Sequence, residues 1–289
     1  MTGATCSGTP ATEPGHPMTK PVLTARAFLV RGLLVGLLAG IAAFLVAHQV
    51  GESHVERAIE LEEAGAAEAP ADEAEPHSHD DGATHSHGDE GGGTEVSRDN
   101  QRTFGLATGT LAVGVALGGI LALVAAAVVG RLGRLSPAQS TAVVALVGFV
   151  AVALVPFLKY PATPPAVGNA ETIGERTGYY FAFQLVSVIV GVLAVALAVR
   201  LWERLGAFEA VVIAAGAYVV VVATVGAVLP TVNEVGDFPA DTLWFFRRAS
   251  LLTLATMWAV LGVGLTGLVG RLHQRDRAAV GRRQLAASL

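Results

Sequence analysis

Phe104-Gly-Leu-Ala-Thr-Gly-Thr-Leu-Ala-Val-Gly114-Val-Ala-Leu-Gly118-Gly-Ile-Leu-Ala-Leu-Val-Ala-Ala-Ala-Val-Val-Gly130 contains no charged side chain from end to end. Wound as a helix at about 1.5 Å per residue, a stretch of this length more than crosses a hydrocarbon core about 30 Å thick. Helix is the form required, because within lipid every backbone N–H and C=O must find its partner inside the segment. Five further stretches read the same way: 27–47, 141–158, 179–199, 208–229 and 249–269. The whole chain agrees with them. It has 289 residues, of which 52% are hydrophobic and 15% charged, whereas a soluble domain carries about 25% charge. The expected fold is all-α, a polytopic membrane bundle of about six transmembrane helices.

This divides the chain into an N-terminal tail (1–26), a first span (27–47), a long loop (48–103), a five-helix region with two ordered loops (104–270) and a basic tail (271–289). Positive side chains near span ends stay on the cytoplasmic side. With the N-terminus inside, twelve of the nineteen Lys and Arg fall inside, including Arg131, Arg134, Arg200, Arg204, Arg271, Arg275 and Arg277. Of 24 acidic residues only Glu13, Glu203, Glu209 and Asp276 fall there. Both termini are therefore expected in the cytoplasm of a multi-pass protein of the cell membrane, with loop 48–103 extracytoplasmic.

Two counts exclude whole chemistries. Cys6 is the one cysteine, so no disulfide, iron–sulfur cluster or Cys-x-x-Cys pair can form within the chain. The two lysines, Lys20 and Lys159, are followed by Pro21 and Tyr160, so no phosphate-cradling loop ending Gly-Lys-Ser/Thr can be written. No nucleophile–base set or cofactor fingerprint is present, so the chain is not read as an enzyme, and neither a bound cofactor nor a nucleic-acid partner is expected. Gly32, Gly36 and Gly40, at intervals of four, match Gly114 and Gly118 in the next span. Small residues so spaced let helix backbones approach where lipid supplies no hydrophobic drive. Packing is favoured here over a substrate path.

Six of the eight histidines lie in loop 48–103. His48, Glu52 and Glu56 follow at helical spacing, so the first helix is expected to project a few turns outward with the three on one face; His54 lies among them. Further on stands His77-Ser-His79-Asp80-Asp81-Gly-Ala-Thr-His85-Ser-His87-Gly-Asp89-Glu90. Two His-x-His pairs flanked by carboxylates supply imidazole nitrogens and hard oxygens suited to divalent first-row metals, and metal capture is favoured over a merely solvated spacer. Affinity at such sites rises from Co²⁺ through Ni²⁺ to Cu²⁺, so the tract does not select cobalt by itself.

The remaining outer loops look stiff. The first runs Pro156-Phe-Leu-Lys159-Tyr160-Pro161-Ala-Thr-Pro164-Pro165-Ala-Val-Gly168, followed by Glu171, Glu175 and Arg176. Its prolines fix φ and exclude a continuous helix. The second contains Glu234, Asp237, Phe238-Pro239-Ala-Asp241-Thr-Leu-Trp244-Phe-Phe246-Arg247-Arg248. Five carboxylates here form a candidate outer vestibule, with Glu234 and Asp241 the foremost metal-binding candidates. Pairing with Arg176, Arg247 and Arg248 to hold the loops is the other reading, and is slightly favoured.

In the strings Leu-Lys-Tyr-Pro-x-x-Pro-Pro-Ala-Val-Gly and Phe-Pro-Ala-Asp-x-Leu-Trp-x-Phe-Arg, the chain resembles the CbtA family of predicted cobalt transporter subunits, over the whole membrane portion. The resemblance implies cobalt uptake linked to cobalamin synthesis, usually beside a small single-span partner, CbtB, with a histidine-rich end. Here a histidine tract lies within the large subunit itself. The lipid bilayer, a CbtB-like subunit and a second copy of the chain are the expected partners, and Co²⁺, Ni²⁺ or Zn²⁺ the expected cargo.

Intramembrane polar groups are few because they are costly. Gln184 and Ser187 share a face of the fourth span, and Thr253 and Thr256 one of the sixth. They could line an ion pathway or bond one helix to another. Two functions stand: a metal permease whose His loop concentrates the ion, and a non-conducting membrane metal sensor or metal-binding partner subunit.

Overall fold

The computed structural model describes residues 24–68 and 97–288. The described chain is helical, without strands, and six helices are long and apolar enough to cross a membrane. They are α1 (Ala25–Gly65), α2 (Arg98–Val128), α3 (Pro137–Lys159), α4 (Ile173–Leu205), α5 (Ala207–Val228) and α6 (Ala240–Ala287). The apolar stretches and the helices do not have the same length. α1 has 41 residues and α6 has 48, so at about 1.5 Å per residue each is roughly twice as long as the hydrocarbon core is thick. The helix begun by α1 continues to Glu68. α6 runs through the arginine-rich segment that the sequence set apart as a tail.

Local chemistry sets the helix ends. Thr24 caps α1 by accepting from the Ala27 N–H at 3.2 Å. Ser136 and Gln139 form a reciprocal capping box at the start of α3, with Pro137 at the first helical position, where its missing N–H costs nothing. Gly206 turns α4 into α5 at φ 93°, a left-handed conformation that glycine adopts without steric penalty.

α1 and α2 meet along the glycines. A β-carbon on Gly36 would lie 2.9 Å from the Val115 Cα, and one on Gly40 2.7 Å from the Thr110 carbonyl oxygen. From the other side, a β-carbon on Gly114 would lie 2.8 Å from the Gly40 Cα. The two backbones touch where side chains would otherwise stand. α6 closes this pair. Val35 lies against Gly264, and Trp258 against Gly148 and Phe149 of α3. The buried core accordingly consists of Phe28, Val35 and Ala39 from α1, Leu121 and Ala125 from α2, and Trp258, Leu261 and Leu265 from α6. α4 and α5 pair with each other at the side of this frame, and α4 touches α3.

α3 is interrupted by π-helical turns over Phe149–Leu154, just before Pro156. Pro156 has no N–H to offer the carbonyl four residues back, that of Val152. Gln184 on α4 donates its amide N–H to that oxygen at 2.8 Å.

Candidate functional site

At one end of the bundle, the loop 160–172 and the loop 229–239 dock on one another. Lys159 donates to the Leu229 carbonyl at 3.2 Å, and the Tyr160 hydroxyl to the Pro230 carbonyl at 2.9 Å. Arg247 Nε donates to the Ala162 carbonyl at 3.4 Å. The centre of the clamp is Glu234. Its carboxylate accepts from the Thr172 hydroxyl at 2.7 Å and the Asn169 N–H at 2.9 Å, and pairs with Arg176 at 3.3 Å. Those contacts hold the Glu234 carboxyl below the usual carboxylate range, the Thr172 hydrogen bond most strongly and the Asn169 N–H next. Gly168, at φ 118°, lies so close to Arg176 that a β-carbon there would stand 2.8 Å from Nη2. The Pro-rich loop thus presents backbone to the guanidinium.

Beneath the docked loops is a cavity of about 1040 Å³, bordered by α1, α3, α4 and α6. Its lining includes Glu52 and Val55 of α1, Lys159 and Tyr160, Arg176 and Tyr180 of α4, and Arg247 and Thr253 of α6. The extension of α1 beyond its apolar stretch stands at its edge, tied to the start of α2. Glu52 pairs with Arg98 at 2.8 Å and Glu56 with Arg102 at 2.8 Å. The His48 ring lies 3.3 Å from the Arg102 carbonyl oxygen and stacks on Phe44. The three residues that share a face by spacing therefore all turn toward α2. His54 stacks on Phe245 of α6, with ring centroids 5.7 Å apart.

Glu171, Glu175, Asp237 and Asp241 are exposed and, like Glu234, lie outside the cavity lining; Asp241 accepts from the Thr242 N–H at the start of α6. Arg176 is the arginine of the loops that pairs with a carboxylate; Arg248 instead stands over the Phe245 ring at 5.0 Å. Ser187 and the Tyr218 hydroxyl are buried together, 2.8 Å apart, joining α4 to α5. Thr253 donates to the Ala249 carbonyl one turn back and borders the cavity, and Thr256 is half-buried. His77, His79, Asp80, Asp81, His85 and His87 lie outside the described residues. Among the described residues no three His, Cys, Asp or Glu side chains are grouped as around a metal ion.

Sequence reasoning missed Lys159, Tyr160 and Arg247 as cavity residues, although all three lie in the two strings that carry the family resemblance. A lysine and an arginine flanking apolar spans without adjacent acids were the available signal. These two strings meet beside the cavity through Arg247 and Ala162, and the family model for probable cobalt transporter subunits matches residues 25–270, from the start of α1 into α6. The chain belongs to the CbtA family. It is thus a subunit of a transporter class, embedded in a membrane by six helices. No curated protein and no solved structure matches it. The CbtA match takes in all six helices and both docked loops, so the cavity belongs to the shared part of the chain.

Proposed function

We propose that this CbtA chain takes up a divalent transition metal, cobalt foremost, for cobalamin synthesis, and that its histidine tract captures the ion outside the cell membrane. The cell-membrane location and inward-facing termini are supported by the distribution of positive residues. The tract supplies the ligands, with His77, His79, His85 and His87 as imidazole donors and Asp80 and Asp81 as oxygen donors. One observation carries the reading. The helix that carries Glu52, a cavity-lining residue, continues to Glu68 before the tract, and after the tract the chain returns at Arg98, the partner of Glu52. The tract is therefore tethered beside the cavity at its Arg98 end, and a tethered ligand set acts at a local concentration fixed by its tether.

Imidazole coordinates when neutral, with an ordinary pKa of about 6.5, so capture weakens as the outside acidifies. Glu234 is engaged in the loop clamp and Glu52 in the ion pair with Arg98, which leaves the tract, with His48 and His54 on α1, as the metal-handling groups; Asp241 lies apart at the start of α6. A CbtB-like single-span subunit or a second copy would meet the bundle through lipid-facing helix surfaces.

Radiolabelled cobalt uptake into proteoliposomes tests this. Uptake above that of empty liposomes is expected. Deleting residues 76–90 should lower uptake when cobalt is scarce and leave it unchanged when cobalt is abundant. A non-conducting metal sensor is the second reading, favoured by Gln184, Ser187 and Thr253 each having a hydrogen-bond partner within the protein. Metal binding with uptake no greater than that of empty liposomes would select it.

A further inference from the structure

The charge of the cavity is opposite to that expected for a bare cation. Among the described residues four charged side chains line it: Glu52, Lys159, Arg176 and Arg247. Glu52 is paired with Arg98 and Arg176 with Glu234. Lys159 and Arg247 have no carboxylate within ion-pair distance among the described residues; both donate to backbone carbonyls, of Leu229 and Ala162. Two positive charges are thus left facing the cavity, and partly buried charge is costly until an opposite charge meets it. Nor does the lining suit direct coordination. Among the described residues it contains no His, Cys or Met, and Glu52 is its one carboxylate, whereas first-row dications take imidazole, carboxylate or thiolate donors. Size points the same way. Six waters around an ion occupy roughly 180 Å³ at about 30 Å³ each, far below the cavity volume of about 1040 Å³. That volume is at the scale of small-molecule sites, which reach about 1,000 Å³.

We propose that the cavity binds an oxyanion-bearing molecule, a polycarboxylate or phosphate held by Lys159 and Arg247, and that metal entering it travels as an anionic chelate. The second half rests on the uptake reading above; the first does not. The hydroxyls of Thr163, Thr177, Thr231 and Thr253 and the amide of Asn233 add hydrogen-bonding groups around the same space. Exposed Leu158 and Phe181 border it as well, so the phosphate of an anionic phospholipid could supply the same chemistry from the bilayer.

The test uses the full chain in phosphatidylcholine nanodiscs, with radiolabelled citrate as probe, in the presence and absence of Co²⁺. Saturable binding is expected, strengthened by cobalt, weakened at least tenfold in the Lys159→Gln/Arg247→Gln double variant and retained in Lys159→Arg. Size-exclusion profiles and melting curves establish that the variants fold. Absence of citrate binding, together with no anionic lipid retained by the wild type, overturns the proposal. If instead phosphatidylglycerol is retained in a manner lost in the double variant and citrate does not bind, the oxyanion is a headgroup and the chelate half is overturned. Proteoliposome uptake separates the two readings. Free Co²⁺ uptake that is blocked by citrate and unaffected in the double variant overturns the chelate route while transport stands. Citrate binding intact with no uptake of either form removes the transport reading and upholds the oxyanion site.

Discussion

The α1/α2 seam and the α4/α5 pair are equally apolar and differently built. Along the seam glycines bring backbone onto backbone, and a third of the most apolar window of each helix is buried within the protein. In α5 that share is 11%. Val220, Val228, Leu185 and Val192 stand more than half exposed on the pair, turned to lipid. Since lipid tails are as apolar as leucine, exposure there carries no penalty, and association must come from close packing or hydrogen bonds. The seam uses close packing. The pair is joined to itself by Ser187 and Tyr218, and to the frame by Gln184 and by the docked loops. The cavity lies between these two constructions, with a rigid wall from α1 and α6 and a wall from α4 that polar contacts hold.

The comparison breaks most visibly at Gly36. Gly36→Leu drives a side chain into the backbone of Gly114 and Val115, so the loss should lie at or above the upper end of the range of about 1–3 kcal/mol for overpacking. Gly216→Leu in α5, where a β-carbon meets nothing within 4 Å, should leave thermal stability in detergent unchanged. Equal losses in the two variants would mean that the seam is not special. A smaller effect is expected at Gln184. Gln184→Leu leaves the Val152 carbonyl without that donor, and interhelical hydrogen bonds of this kind contribute about 0.6–2 kcal/mol. The melting temperature should fall modestly, with greater protease sensitivity in α4 than in α1.

Glu234 gives the most local change. Its carboxyl is held below the usual range in the folded protein, so its contribution is fully present above the unfolded value of about 4.3 and is lost as pH falls through the depressed folded value. Protection of the amides in residues 162–172, taken relative to their intrinsic exchange rates at each pH, should therefore persist from neutral pH down into the mildly acidic range and fall below it. Glu234→Gln should show the lower protection already at neutral pH, with the α1/α2 seam unaffected. Protection in this loop that ignores both pH and the substitution would remove the clamp from the account.

The six helices were legible because apolar length is a one-dimensional property, and the glycine seam because its spacing repeats with the helix. Helix ends were less so. α6 runs past its apolar window into the arginine-rich segment, which hydropathy alone truncates, whereas the extension of α1 was legible in the helical spacing of His48, Glu52 and Glu56. The face shared by His48, Glu52 and Glu56 was readable from periodicity, but its partners Arg98 and Arg102 lie some fifty residues away in sequence. For the same reason, the favoured reading of the outer loops, arginine pairing with carboxylate to hold them, is met by Arg176 and Glu234, but neither which carboxylate would pair nor that Lys159 and Arg247 would line the cavity was readable. Which loop residues face a cavity depends on how two segments dock, a fact that neither segment contains alone. Gln184 stands between these cases, since a proline four residues after Val152 announces a carbonyl in need of a donor without saying which helix will supply it.

The side of the membrane that the roofed cavity faces decides whether metal can be captured from outside. In a Cys6→Ser background, single cysteines at Thr231, in the docked loop, and at Ser288, at the end of α6, can be challenged in intact cells with a membrane-impermeant maleimide. Labelling at 231 with protection at 288 until the cells are opened is the predicted result. Labelling at 288 with protection at 231 would place the cavity and the histidine tract in the cytoplasm and contradict uptake from outside.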